Sequence, residues 1–224
     1  MLFHSSFSIL KIMNSVKQKV FIFDYDGVIA DSFEDAILIV RQIAKDIGYD
    51  KPISDEDFRE LFDQNIFIAI KQKGFSLLQI LRIANRLKGE TKEMQKKIRF
   101  FAGIKELFDE INDLGDIFVV TSNSNEIVRN KMDDYSMLQD IREIYGMEVS
   151  KSKVKKIKLV MKKYDKNTDF YYIGDTIGDI IEGRKAGVKT IGVTWGYHDR
   201  KRFDRVNPDF IVDKPEELLA IWKR

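Results

Sequence analysis

Val20-Phe21-Ile22-Phe23-Asp24-Tyr25-Asp26-Gly27-Val28 reads as a strand that ends in acid. Consecutive apolar residues of β-favouring type, without polar alternation, describe a strand buried on both faces, as in a parallel sheet. The run stops at two carboxylates one residue apart, followed by a glycine. Open α/β sheets bind ligands beyond the carboxyl ends of their strands, so this tip is the place to look for chemistry. Alternate residues of a strand point the same way, which sets Asp24 and Asp26 on one side and Tyr25 on the other until Gly27 lets the backbone turn. Two carboxylates so close raise each other's pKa unless a cation or a shared proton relieves them. A hard divalent ion is the natural remedy, and Mg²⁺ typically uses one or two carboxylates together with substrate phosphate.

The rest of the composition limits what can be built around that tip. A chain of 224 residues can bury a sizeable core, as one large domain or a core domain with an insert. A formal charge of only +2 creates no field favouring nucleic acid or an anionic membrane, and neither is expected as a partner. Cysteine is absent, which removes thiol nucleophiles, disulfides and thiolate metal sites together and fits a reducing compartment, with the cytoplasm as the expected location. The histidines are His4 and His198, too few for a multi-histidine zinc site and an awkward basis for a Ser-His-Asp triad. Carboxylates and lysines must carry any catalysis.

Residues 1–17 read as an extension. The apolar fragment Leu2 to Leu10 is too short to span a bilayer and lacks a basic flank and a cleavage site, and Met13 is a plausible natural start. After the first strand, Asp31-Ser32 opens a helix with Phe33, Ile37, Val40, Ile43, Ala44 and Ile47 at 3 and 4 spacing, closing at Gly48. Ser54-Asp55-Glu56-Asp57 resembles a capping box, and helical patterns continue through Ile66 to Lys71, Leu77 to Leu87 and Met94 to Phe101. Residues 32–98 thus form an all-helical block that reads as an inserted cap domain, leaving 18–31 and 99–224 as the core.

Beyond it, a helix from Ile104 to Leu114 feeds a buried strand, Ile117 to Thr121, and Ser122-Asn123-Ser124-Asn125 opens the next helix. A weaker strand near Glu143 to Met147, a lysine-rich helix from Lys153 to Tyr164, a strand from Phe170 to Asp175, and strands at Val188 to Thr194 and Asp209 to Val212 follow. This alternation is the pattern of βαβ units, so the expected fold is α/β: a Rossmann-like, doubly wound, mostly parallel sheet with the helical cap inserted. The lysines between 151 and 166 are not interleaved with aromatics and mostly oppose Ile157 and Met161, which describes a solvated helix face. His198, Arg200 and Lys201 lie in a loop that could touch substrate and are read as solvated, and Trp195 and Tyr197 as packing residues.

Four pieces fall at strand ends or helix starts: Asp24 with Asp26; Thr121 with Ser122 and Asn123; a lysine from the 151–158 run; and Gly174-Asp175-Thr176-Ile177-Gly178-Asp179. Their order and placement resemble the haloacid dehalogenase superfamily, in particular its phosphoglycolate-phosphatase-like branch with a helical cap, and the likeness runs from about residue 18 to the C-terminus. The resemblance implies a Mg²⁺-dependent phosphatase acting on a small phosphorylated metabolite, as a monomer or homodimer. It makes Asp24 the nucleophile that carries an aspartyl-phosphate and Asp26 the acid and base for the leaving alcohol and the water. Thr121 would bond a phosphoryl oxygen, Ser122 and Asn123 would bind substrate, and Asp24, Asp26, Asp175 and Asp179 would form the metal site, Asp26 through its carbonyl and Asp179 directly or through the water shell. The family's lysine would span nucleophile and phosphate; Lys151 is the choice, because the helix starts after it, with Lys153 as the alternative. A phosphomutase would share these motifs, and a non-catalytic phosphate-sensing or partner-binding member would share the fold. Substrate choice is expected to lie in the cap, with Asn65, Lys71, Lys73 and Arg82 as candidates.

Overall fold

The computed structural model describes residues 18–49, 51–63, 69, 71, 72, 74, 76, 86 and 97–223. The expectations for residues 1–17, Met13 included, for most of the helical stretches over 66–71, 77–87 and 94–98, and for Asn65, Lys73 and Arg82 lie outside that set.

The first strand, β1 (Gln18–Phe23), runs through the middle of the molecule, and its residues Val20, Phe21, Ile22 and Phe23 are all 0% exposed. It is followed by β2 (Ala30–Asp31), α1 (Phe33–Asp46), α2 (Asp55–Glu60), β3 (Arg99–Phe100), α3 (Ile104–Ile111) and β4 (Gly115–Val120). Then come α4 (Asn125–Asp134), β5 (Ile141–Tyr145), α5 (Lys153–Met161), β6 (Thr168–Gly174), α6 (Ile177–Ala186), β7 (Lys189–Val193), α7 (Arg200–Phe203), β8 (Phe210–Val212) and α8 (Glu217–Trp222). Six strands form one sheet in the order β5-β4-β1-β6-β7-β8, with every neighbouring pair parallel. The chain lays one flank of β1 first, through β4 and β5, and then crosses to β6 to lay the other. That reversal at β1 is the switch point at which such sheets open a crevice.

Alternation along β1 sorts the two helical layers. Phe21 and Phe23 pack with Leu107, Phe108 and Ile111 of α3, Val128 and Met132 of α4 and Trp222 of α8, while Val20 and Ile22 face Ile157 and Val160 of α5 and Ala186 of α6. Burying each such side chain is worth about 1.5–3 kcal/mol. A polar residue in β1 would therefore remove a large share of the few kcal/mol that keep a domain folded.

The sequence boundaries shift at β5 and at α4, among others. The strand expected at Glu143 to Met147 lies at β5, two residues earlier, because Val119 and Val120 of β4 pair with Ile144 and Tyr145. The helix expected to open at Ser122 begins at Asn125, with Ser124 as its cap accepting from the Ile127 N–H at 3.3 Å. The antiparallel pair β2 and β3 is not legible in sequence at all, being two residues on each side. It ties the exit from β1 to the segment that leads into α3.

α2 begins with the expected capping box: Ser54 Oγ accepts the Asp57 N–H at 3.0 Å, and the Ser54 N–H donates to Asp57 Oδ2 at 3.1 Å. Phe33, Ile37, Phe58 and Leu61 then form a cluster with Tyr197 of the core. The rings of Phe33 and Phe62 meet that of Tyr197 edge-on, with centroids 5.3 and 5.0 Å away.

Candidate active site

Asp24 emerges from β1 with its N–H donating to the Ile173 carbonyl of β6 at 2.9 Å, so the ladder holds the nucleophile candidate up to the last residue. The chain then turns through Tyr25, whose carbonyl accepts the N–H groups of Ile29 and Ala30, both at 2.9 Å. Gly27 has φ +75°, and a Cβ there would stand 1.8 Å from Asp175 Oδ2. The turn therefore needs glycine twice, for its left-handed backbone and for the close approach of a second carboxylate.

Asp175 follows β6, the strand beside β1. Its Oδ2 accepts the Tyr197 N–H at 2.8 Å and its carbonyl accepts the His198 N–H at 3.1 Å. Asp179 sits in the first turn of α6, where Thr176 caps the helix, and its carboxylate is fully engaged. Lys153 Nζ at 2.6 Å and the Tyr172 hydroxyl at 2.9 Å donate to Oδ1, and the Thr176 hydroxyl at 2.5 Å and N–H at 3.2 Å donate to Oδ2. One oxygen from each of Asp24, Asp175 and Asp179 lies within 4.8 Å of the others, and all three residues are buried.

The lysine of this cluster is Lys153. Its Nζ donates to Asp24 Oδ2 at 2.8 Å as well as to Asp179. Lys151, chosen from sequence, is exposed in the turn before α5 and is corrected to Lys153 as the lysine the fold brings to the site. The reason is local: α5 starts at Lys153 itself, after the Ser152 cap, so the first helical residue rather than the preceding loop residue projects towards β1. Three residues on, Lys156 is 0% exposed and its Nζ donates to the Thr121 carbonyl, an exception to the solvated lysine face.

Thr121 is buried at the end of β4, its N–H donating to the Tyr145 carbonyl at 3.1 Å and its Oγ1 accepting the Asn123 N–H at 3.0 Å. Asn123 donates from Nδ2 to Asp26 Oδ2 at 2.6 Å, which joins the tip of β4 to that of β1. Ser122 is exposed on the turn between them.

Charge explains the electrostatics. Burial pushes Asp24 up to about 7, against the pull of Lys153, with Asp179 and Asp26 adding to the rise. Burial, then Asp179 and Asp24, hold Asp175 well above the usual carboxylate range. Burial also disfavours the Asp179 carboxylate, but Lys153 and the hydrogen bonds from Lys153, Thr176 and Tyr172 win and hold it low. Lys153 loses hydration on burial, yet Asp179 and Asp24 more than offset this and keep it charged. One ammonium thus faces three buried acids, so the others are relieved either by protons or by a cation that displaces them. The donor set is all oxygen, which suits a hard ion of the Mg²⁺ type. Asp24 and Asp175 fit as its carboxylate ligands, whereas the oxygens of Asp179 are already taken.

Sequence reading missed the residues that support this cluster. Thr176 was recoverable, since Thr-x-x-Asp ahead of an apolar residue is a capping pattern. Tyr172 looked like any core residue of a strand. His198 is corrected outright: it is 0% exposed, not solvated. The Ile177 N–H donates to its Nδ1 at 3.0 Å, so the proton is on Nε2, which donates to the Arg59 carbonyl at 2.9 Å. Burial lowers its pKa and keeps the ring neutral. Around it, Arg202 pairs with Asp63 at 2.6 Å and with Glu56, the Gly178 N–H donates to the Phe62 carbonyl at 3.2 Å, and Arg59 donates to the Tyr197 carbonyl while stacking on Phe33. Residues 56–63 are clasped to the loops that carry Asp175. Lys71, the described member of the recognition candidates, is exposed.

The profile of the haloacid dehalogenase-like hydrolases matches residues 21–193, which spans β1 to β7 and every acid of the cluster. The chain belongs to that family. Within it the chain is similar over nearly its whole length to proteins named as phosphatases. A phosphoglycolate phosphatase of Synechococcus elongatus is 26% identical over 207 residues, 88% of this chain and 94% of the relative. One from Vibrio parahaemolyticus is 23% identical, covering 91% of this chain and 95% of the relative. Among solved structures, a haloacid dehalogenase-like hydrolase from Streptococcus pneumoniae superposes with a TM-score of 0.78 at 20% identity, covering 93% of this chain and 99% of that one. A hydrolase from Pseudomonas syringae gives 0.71 at 16% identity, covering 91% and 97%. At those identities the structures speak for the fold. No helix among the described residues is long and apolar enough to cross a membrane.

Proposed function

We propose that the protein hydrolyses the phosphate monoester of a small metabolite in two steps through an aspartyl-phosphate on Asp24, with Mg²⁺ as cofactor, in the cytoplasm. The observation that carries this reading is the tip of β1, where Asp24 accepts from Lys153 at 2.8 Å and lies within 4.8 Å of oxygens of Asp175 and Asp179. Dividing the displacement between two covalent steps lowers each barrier.

In the first step an Asp24 oxygen attacks phosphorus while Asp26 gives its proton to the departing alcohol oxygen. In the second, Asp26 takes a proton from water as the water oxygen attacks phosphorus and frees Asp24. Thr121 donates its hydroxyl to a phosphoryl oxygen, and Lys153, held in place by Asp179, sets an ammonium between nucleophile and phosphate. Asp179 is assigned to holding Lys153 rather than to the metal. Mg²⁺, held by the carboxylates of Asp24 and Asp175 and the carbonyl of Asp26, would neutralise charge on the phosphoryl group and on these acids. The 32–98 segment is assigned as a cap that closes over a small ligand and excludes water. Phosphoglycolate is the first compound to assay, given the activity named for the relatives.

Phosphate release from an aryl phosphate, with and without Mg²⁺, tests the reading in wild type and Asp24→Asn. The expected result is Mg²⁺-dependent turnover that Asp24→Asn abolishes without loss of fold. Turnover indifferent to Mg²⁺, or near wild type in Asp24→Asn, would overturn it.

A further inference from the structure

Asn123 is fastened at three points. Its N–H donates to Thr121 Oγ1 at 3.0 Å, its carbonyl accepts the Met147 N–H at 2.8 Å, and its side-chain Nδ2 donates to Asp26 Oδ2 at 2.6 Å. The first two bonds fix the backbone of the turn after β4, so the amide is delivered from a rigid base. An amide NH₂ can only donate, so the oxygen it meets must be an acceptor. A carbonyl oxygen accepts better than a hydroxyl oxygen, so the bond favours the proton of a neutral Asp26 on Oδ1, and rotation of the carboxyl would break the bond that sets this preference.

We propose that Asn123 is a positioning residue for Asp26, fixing its carboxyl so that Oδ1 is the atom that delivers and recovers the catalytic proton. The inference rests on the acid and base role given to Asp26 above. As the Asp24–phosphorus bond forms and the phosphorus–alcohol bond breaks, the proton on Oδ1 passes to the alcohol oxygen. As water attacks and the Asp24–phosphorus bond breaks, one water proton returns to Oδ1 and the carboxyl is restored. Throughout, Oδ2 stays on the Asn123 amide. One of the two N–H groups of the Asn123 amide is thereby committed to Asp26 rather than to substrate.

The test is leaving-group dependence. An alkoxide leaves poorly without a proton, whereas a nitrophenolate leaves readily, so losing a positioned acid penalises alkyl phosphates selectively. General acid catalysis is worth roughly 10²–10⁴-fold. The value of kcat/KM, which reports formation of the phosphoenzyme for either ester, is measured for p-nitrophenyl phosphate and an alkyl phosphate in wild type, Asn123→Ala and Asp26→Ala. Asn123→Ala is expected to lose about 10- to 100-fold on the alkyl ester and under about 3-fold on the aryl ester, a fraction of the acid's full effect. Asp26→Ala is expected to show the same pattern more strongly. Should circular dichroism show that Asn123→Ala does not fold, Asn123→Leu, near in shape and lacking the donor, carries the same comparison. Equal losses on both esters in a folded variant, or a rise in KM alone, would overturn the proposal while leaving Asp26 in its role. If Asp26→Ala itself ignores the leaving group, the role of Asp26 falls, and the proposal with it.

Discussion

Replacing Lys153 by methionine isolates the charge balance on which the site depends. The lysine side chain is 15% exposed and pairs at 2.8 and 2.6 Å with Asp24 and Asp179, themselves 8% and 1% exposed. Removing one partner of a buried ion pair costs about 3–5 kcal/mol, because the charge left behind has neither water nor a counter-ion. For a chain of this size each kcal/mol moves the melting temperature by about 2–4 °C, so Lys153→Met should melt about 6–20 °C lower near neutral pH without divalent metal. The sign of the pH dependence follows from the acids. Asp24 is already raised to about 7 with the lysine present, and rises further without it. A folded state that binds more protons than the unfolded one loses stability as pH increases. The deficit should thus be largest at and above pH 7 and shrink towards about pH 5. Lys151→Met, at an exposed position, is the control and should stay within about 0.5 kcal/mol of wild type with turnover intact. Thermal melts across pH, followed by phosphate-release assays, read all of this. A metal-free Lys153→Met melt within about 2 °C of wild type at neutral pH, or a Lys151→Met enzyme that loses turnover, would refute the reasoning.

Gly27→Ala places a Cβ 1.8 Å from Asp175 Oδ2 at φ +75°. It should cost about 1–2 kcal/mol in backbone strain and weaken Mg²⁺ binding by about 10-fold or more in calorimetry, since about 1.4 kcal/mol of misplacement suffices; unchanged affinity would contradict the close packing. Burial lowers Lys156 to about 8, so the unfolded chain binds more protons between that value and about 10.5. The stability of wild type relative to Lys156→Met should accordingly rise with pH across that interval in chemical denaturation, and a flat difference would argue against a buried ammonium. His198→Ala leaves the Ile177 N–H and the Arg59 carbonyl without their buried partner, at about 1–3 kcal/mol each. Hydrogen exchange should quicken at Ile177 and across residues 54–63, and protection equal to wild type would show that the imidazole does not bind the two together.

What the sequence revealed and what it withheld follow from the range of the forces involved. β1 was legible because burial on both faces leaves an uninterrupted apolar run, and Asp24 and Asp175 because they end such runs. The choice between Lys151 and Lys153 was not, because a shift of two residues about a helix cap decides which ammonium reaches β1, and Ser150 and Ser152 are both credible caps by residue type. His198 carried no periodic signal: its burial comes from Arg59 and Ile177, 139 and 21 residues away in the chain. The pairing of Asn123 with Asp26 spans 97 residues and belongs to the same class. Long-range polar contacts are set by sheet order, and short motifs do not encode it.

The grip of residues 56–63 on the Asp175 loop bears on how this architecture could be recombined. The contacts from Glu56, Arg59, Phe62 and Asp63 reach Tyr197, His198, Arg202 and Gly178. A chimera that exchanges the whole of 32–98 for the corresponding part of a relative would sever these bonds and release the scaffolding behind Asp175. Crossover points placed after Asp63 and before Ile98 would spare them, so new specificity could be spliced in while the catalytic floor keeps its bracing.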